Sequence, residues 1–284
     1  RGFTWVKVIC IIMFTGFGLF YVPSHSITVL PDSRVWKDIF SSAFAGSLIY
    51  VTYAYSGWNA AAYISGEIEN ARKNLPRALI LGTLCVMVIY TVLNYVFLYT
   101  VPIDELKGEL EVGYLSANKI FGPHVGQFMS LVIAVLLVST ISAMILAGPR
   151  VMQSMGRNIG GLNFFAIANK NNVPYVAIIF QSAIALFLVL TSSFESLITY
   201  VSFTLNLFTF LTVAGVFVLR RKFRSLEVPY KTPLYPITPL VFLAIVLWIL
   251  INIVKEKPME SILGLCTVVA GLAIYFLTNK KGTK

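Results

Sequence analysis

Charged side chains are scarce in this chain: only 12% of its 284 residues are Asp, Glu, Lys or Arg, against about 25% in an ordinary soluble domain. Set beside 57% hydrophobic residues, that scarcity excludes a fold whose surface must be wetted on all sides. Cysteine is rare too. Cys10, Cys85 and Cys266 each fall inside an apolar stretch, with no disulfide or metal spacing, so they read as small packing residues and say nothing of the redox compartment. His25 and His124 lie far apart at helix ends, and no metal site is expected from them. A nucleophile elbow, a glycine loop that could cradle phosphate and a pair of carboxylates within one apolar stretch are all missing. No enzyme chemistry and no cofactor are expected. Repeats of about 20–50 residues and low-complexity tracts are absent as well.

What the sequence has in abundance is apolar runs of membrane-spanning length. A bilayer core about 30 Å thick needs roughly 20 mostly apolar residues per helix, because no water is there to satisfy the backbone. Such runs lie near 3–22, 43–66, 76–101, 125–148, 174–193, 197–219, 237–254 and 261–278. The fold expected is all-α: a polytopic membrane protein with about eight transmembrane helices in a single domain over 1–284. An even number of crossings puts both ends on one side. The net charge of +10 could suggest nucleic acid, but the basic residues are spread through short loops rather than gathered on one face. Their sidedness explains them better: with a cytoplasmic N-terminus, fifteen Lys and Arg face inward and six outward, with Lys7 left within the membrane. The partner this implies is the lipid bilayer, and the location expected is the cell membrane with both ends of the chain cytoplasmic. The chain opens at Arg1-Gly2-Phe3 with no initiator Met and a span already under way; further N-terminal sequence is expected.

Function should reside where the runs depart from plain apolar helix. The second run, Ala43 to Glu67, crowds aromatic, hydroxyl, glycine and amide side chains at the depth where lipid-facing helices carry Leu, Ile and Val. It must face protein or a water-filled cavity. Within it, Ser56-Gly57 allows the helix to unwind, since glycine tolerates non-helical dihedrals and serine can bond freed backbone groups. Unwinding at mid-membrane exposes carbonyl and N–H groups, and transporters use such half-helix ends to hold charged substrate groups. The alternative is that Gly57 only lets two helices pack closely. Beyond this run, a charged loop leads to Asn74-Leu75-Pro76, where Asn74 or a neighbour can cap the next helix with Pro76 in its first turn. The connection from Val151 to Val173 is long enough for a short interfacial helix. Arg220 to Pro239 is basic and proline-rich, a stiff linker that no helix enters.

The residues Tyr53-Ala54-Tyr55-Ser56-Gly57-Trp58-Asn59, then Glu67-Ile68 and Arg72-Lys73-Asn74-Leu75-Pro76, resemble the sixth helix and following loop of amino acid permeases in the amino acid-polyamine-organocation superfamily, particularly the L-type amino acid transporter branch. Phe3-Thr4-Trp5-Val6-Lys7 is similar to the fifth helix with its intramembrane lysine. Pro229-Tyr230-Lys231-Thr232-Pro233-Leu234-Tyr235-Pro236 resembles the loop between the tenth and eleventh helices. The likeness covers essentially the whole chain, as helices five to twelve. It implies a twelve-helix protein with the inverted-repeat fold of the bacterial leucine transporter, whose broken first and sixth helices form the substrate site. By that resemblance the backbone of Tyr53, Ala54 and Ser56 holds the substrate's α-ammonium beside the unwound Gly57. The Tyr53 ring gates the site and Asn59 lines it. The family has glycine where this chain has Ser56.

Lys7 places an ammonium within an apolar run, which costs about 3 kcal/mol unless it finds a partner or snorkels to the surface. The resemblance puts this lysine where sodium-coupled relatives bind their ion, implying sodium-independent transport or exchange. Hydroxyl-rich runs at 139–142 and 199–206 serve most simply as glue between helices; Thr140 and Phe203 within them are lesser pocket candidates. The function expected is a secondary transporter of amino acids. Neutral substrates are favoured because no acidic side chain lies in the visible pocket. Two alternatives stand: a polyamine or cationic amino acid transporter of the same superfamily, and a non-transporting receptor or truncated remnant. The expected partners are an amino acid substrate and the N-terminal helices of the same protein, and these 284 residues alone are expected not to transport.

Overall fold

A computed structural model describes residues 2–23, 33, 35–63, 68–223 and 232–279, and among them every regular element is helical. In order these are α1 (Gly2–Phe20), α2 (Val35–Ile39), α3 (Ser42–Ala54), α4 (Trp58–Tyr63), α5 (Ala71–Thr100), α6 (Ile103–Leu106), α7 (Val112–Phe121), α8 (Pro123–Asn158), a 3-10 turn over Gly160–Ala166, α9 (Tyr175–Thr191), α10 (Phe194–Lys222), α11 (Ile237–Glu256) and α12 (Pro258–Asn279). Five of the described helices, α5, α8, α10, α11 and α12, are long and apolar enough to cross a membrane. The apolar stretches of α1 and α9, Thr4–Phe20 and Tyr175–Thr191, are shorter.

The chain divides into two compact units. The first comprises Arg1–Leu30 and Ala78–Leu146. Its core is Phe14, Val96 and Ala117, with Leu93, Phe97 and Met129 packed around them. Polar groups lock the helices together: Thr100 of α5 and Ser116 of α7, both buried, share a hydrogen bond between their hydroxyls. Such bonds hold helices together where lipid offers no hydrophobic drive for association. Gly122, at φ 84°, turns the chain sharply from α7 into Pro123 at the start of α8, using the glycine and proline placement that favours a clean stop and start.

The second unit comprises Pro31–Arg77 and Ala147–Lys284. Here α3 packs on α10 and α11, and α12 on α10, around a core of Ile49, Phe203, Val246, Ile249, Leu250 and Ile253. Serine hydroxyls cap two of these helices: Ser41 accepts from the Phe44 N–H at 3.1 Å and Ser193 from the Ser196 N–H at 3.2 Å, satisfying donors that the first turn leaves open. Gly264 of α12 backs onto Phe203, where a Cβ would lie 2.7 Å from the ring.

Three boundaries differ from the sequence reading. The run 43–66 is two helices, α3 and α4, separated by a turn at Tyr55–Gly57; 64–66 lie outside the described residues. The helix expected to begin near Pro76 begins at Ala71, so Asn74 does not cap it. Instead Asn70 turns the chain at φ 49° and the Asn74 amide donates to the Glu69 carbonyl at 2.8 Å. The helix expected to end at 148 continues through Pro149 to Asn158. Gly148 there lies against the Gln181 side chain of α9. The interfacial piece of the next connection is the 3-10 turn, folded back so closely on Gly156 that a Cβ there would meet the Ala166 nitrogen at 2.7 Å.

Candidate functional site

Within the second unit, α3 ends where Tyr55 adopts φ −91° and ψ 2°, the sparsely allowed bridge region between helix and strand. The Tyr55 N–H still reaches Val51 O at 3.1 Å, but the Ser56 N–H turns to Tyr53 O at 3.0 Å and the Asn59 N–H to Ser56 O at 3.3 Å. The regular ladder is lost over this turn. Among the described residues, no hydrogen bond reaches the N–H groups of Gly57 and Trp58 or the C=O groups of Thr52 and Ala54. Bare donors and acceptors inside an apolar run are costly, by several kcal/mol each if no ligand, water or partner meets them. The turn therefore presents both polarities of peptide group at one place.

Gly57 has no left-handed φ, and a Cβ on it would meet nothing within 4 Å. Among the described residues it is thus not a point of close helix packing, and the break does not depend on a conformation reserved for glycine. What it leaves is open space beside the bare amides. Tyr53 and Trp58 flank the turn with rings 42% and 44% exposed; Tyr55, Ser56 and Asn59 are half-buried and Ala54 is exposed.

In the first unit, Lys7 of α1 donates through Nζ to the Thr140 hydroxyl of α8 at 2.7 Å. The Thr140 hydroxyl itself donates to the Leu136 carbonyl at 3.3 Å. The bond gives a half-buried ammonium a neutral partner, and among the described residues no carboxylate pairs with it. The same unit holds a cavity of about 170 Å³ lined by Cys10, Phe14, Leu93, Phe97, Met129 and Leu136. Its lining carries no charged group and suits no zwitterion.

The structure thus joins Lys7 to Thr140 and keeps Tyr53, Ala54, Ser56, Gly57 and Asn59 together at the break. Phe203 is placed differently, 3% exposed within the packed core of the second unit. Residues 64–67, Glu67 among them, and 224–231 lie outside the described residues. Beyond 231, Arg220 at the end of α10 stacks 4.0 Å over the Tyr235 ring and donates to Thr232. The run 199–206, read from sequence as glue between helices, acts so at Asn206, although its partner Thr52 was not foreseen: the Asn206 amide donates to the Thr52 hydroxyl at 3.1 Å, one turn before the break. The signal was present, since Thr199, Ser202 and Asn206 recur at helical spacing and are all buried.

At the other end of α10 the polar contacts involve charged side chains. Lys257 donates to Glu195 at 2.9 Å, Ser196 donates to Glu260 at 3.1 Å, and the Glu256 carboxylate lies against Gly46 of α3. The hydrogen bond to Glu195 holds the Lys257 ammonium above its ordinary pKa.

Five helices long and apolar enough to cross a bilayer, beside the shorter pair α3 and α4 broken at Tyr55–Gly57, define a polytopic membrane protein. Residues 2–276 match the amino acid permease family, and the chain belongs to that family. It is 28% identical to the serine/threonine exchanger SteT of Bacillus subtilis, over 97% of this chain and 62% of the exchanger. It is 27% identical to the b(0,+)-type amino acid transporter 1 of Mus musculus, over 97% of this chain and 56% of the relative. With the large neutral amino acids transporter small subunit 2 of Mus musculus it shares 27% identity, over 80% and 42% respectively. The chain therefore spans about three-fifths or less of the length of these curated relatives.

Proposed function

We propose that this chain is the helix-five-to-twelve portion of a secondary transporter of neutral amino acids, working by alternating access around the turn at Tyr55–Gly57. The observation that carries the proposal is the turn itself. Its open carbonyls suit an ammonium and its open N–H groups suit a carboxylate, so a zwitterion satisfies both kinds at once. Family membership supports the reading, as do relatives named as a serine/threonine exchanger and a large neutral amino acids transporter. Tyr53, Ala54, Ser56, Gly57 and Asn59 contribute the pocket, with the Tyr53 ring as its gate. Lys7, held by Thr140, supplies a fixed positive charge in place of a sodium ion, making transport sodium-independent. The absence of an acidic side chain in 53–59 favours neutral over cationic substrates. The basic residues of the loops orient the protein in the cell membrane with both ends of this chain cytoplasmic.

The test is uptake into liposomes containing the protein expressed from its complete reading frame. Radiolabelled leucine, serine and alanine should exchange against internal amino acid equally well with sodium or with a large inert cation outside. Uptake of arginine alone, or strict dependence on sodium, would overturn the assignment.

A further inference from the structure

Buried polar side chains of the second unit gather along one face of α10, where Thr199, Ser202 and Asn206 are 1%, 1% and 7% exposed. That face meets α3. The Tyr50 phenol lies beside Thr199, and the Asn206 amide donates to the Thr52 hydroxyl at 3.1 Å while its second proton goes to the Ser202 carbonyl at 2.9 Å. Thr52 in turn donates to the Ile49 carbonyl at 2.9 Å, the local back-bonding that bends helices. Ser202 differs: its hydroxyl is buried with no partner among the described residues.

Apolar packing alone tolerates small slides of one helix along another, whereas a buried polar pair fixes register. The Thr52 carbonyl is one of those left open at the break, so whatever fixes Thr52 fixes where the ladder stops. We infer that Asn206 is a positioning residue for the broken helix: by gripping the Thr52 hydroxyl it sets the register of α3 on α10 and holds the α3 terminus in the form that receives substrate. This rests on the turn at Tyr55–Gly57 being the substrate site, but the grip itself is a property of the fold. Asn206 touches no substrate. Thr52 acts as its partner, and Ser202, equally buried on the same face, has no part in it.

Two readouts separate the two ideas. The first is amide hydrogen exchange over Ile49–Ser56 in the complete protein without substrate. Asn206→Ala and Thr52→Val, which keeps the shape and removes the hydroxyl, should each speed exchange by about three- to tenfold, the worth of one hydrogen bond within a membrane. Thr52→Ser and Ser202→Ala should leave it unchanged. The second is the apparent KM for amino acid exchange, which should rise by a similar factor in the first two variants and return to the wild-type value in Thr52→Ser. The double variant should be no worse than either single one. Unchanged exchange rates in both Asn206→Ala and Thr52→Val would overturn the inference whatever the protein transports. So would a loss confined to folded yield with KM intact. If the wild type carries no amino acid, the transport proposal fails and the exchange readout still decides the role of Asn206.

Discussion

At the scale of single residues, Gly57 and Lys7 make opposite demands on their surroundings. Gly57 has room around it and ordinary backbone angles, so Gly57→Ala is expected to fold normally, with stability changed by no more than about 0.5 kcal/mol. Alanine, however, favours continuous helix over glycine by about 1 kcal/mol, and its methyl enters the open space beside the bare amides. Substrate affinity is expected to fall by about fivefold or more, measured as KM alongside an unchanged thermal midpoint. Lys7 instead depends on one neighbour, the Thr140 hydroxyl. Lys7→Met keeps the apolar stem and removes the charge, so insertion should proceed unimpaired while exchange falls by at least about tenfold, the scale on which a fixed charge in low dielectric acts. Retention of full exchange in purified Lys7→Met would remove the lysine from the mechanism.

Elements are held by close approaches and by a few polar contacts at their ends. Gly264 gives α12 its seat against Phe203, and Gly264→Ala drives a methyl into the ring edge. A destabilisation of about 1–3 kcal/mol is expected, seen as a lower thermal midpoint with substrate KM retained. At the exposed short helix α6, a hydrogen bond from Lys107 at 2.8 Å holds the Asp104 carboxyl below its usual pKa. A depressed carboxyl stabilises the fold above its unfolded pKa of about 3.9 and ceases to do so as pH falls through the folded value. The Lys257–Glu195 pair runs the other way: the raised ammonium's contribution is present below about pH 10.4 and is lost as pH rises through its folded value. Both pairs are thus intact from pH 5 to 9. Asp104→Asn should lower the thermal midpoint slightly at pH 7 and not at pH 3, and a larger difference at the acid end would contradict this assignment.

Over the molecule as a whole, the helical class and the places of the apolar runs were legible because spanning length and hydropathy are properties of composition. The break at Tyr55–Gly57 was legible for a related reason: hydroxyl, glycine and amide residues crowd a run at the depth where lipid-facing helices carry Leu, Ile and Val. Boundaries set by packing were not. The apolar run ends at 148, yet α8 continues through Pro149 to Asn158. Asn74 reads as a cap, yet the turn at Asn70 starts the helix earlier. The pairing of Thr52 with Asn206 joins residues far apart in sequence, and only the packing of α3 on α10 brings them into contact. The burial of Phe203 has the same origin, because an aromatic ring on a polar-striped helix fits a pocket wall and a core equally well until its neighbours are known.

The central claim is that the peptide groups bared at this turn are met by an amino acid. Amide hydrogen exchange of the complete, reconstituted protein, resolved at Gly57 and Trp58, tests it directly. Saturating leucine or serine should slow exchange at these two amides by at least about tenfold while leaving the ends of α11 and α12 unchanged. Exchange at Gly57 and Trp58 that is indifferent to a substrate the protein demonstrably carries would contradict it.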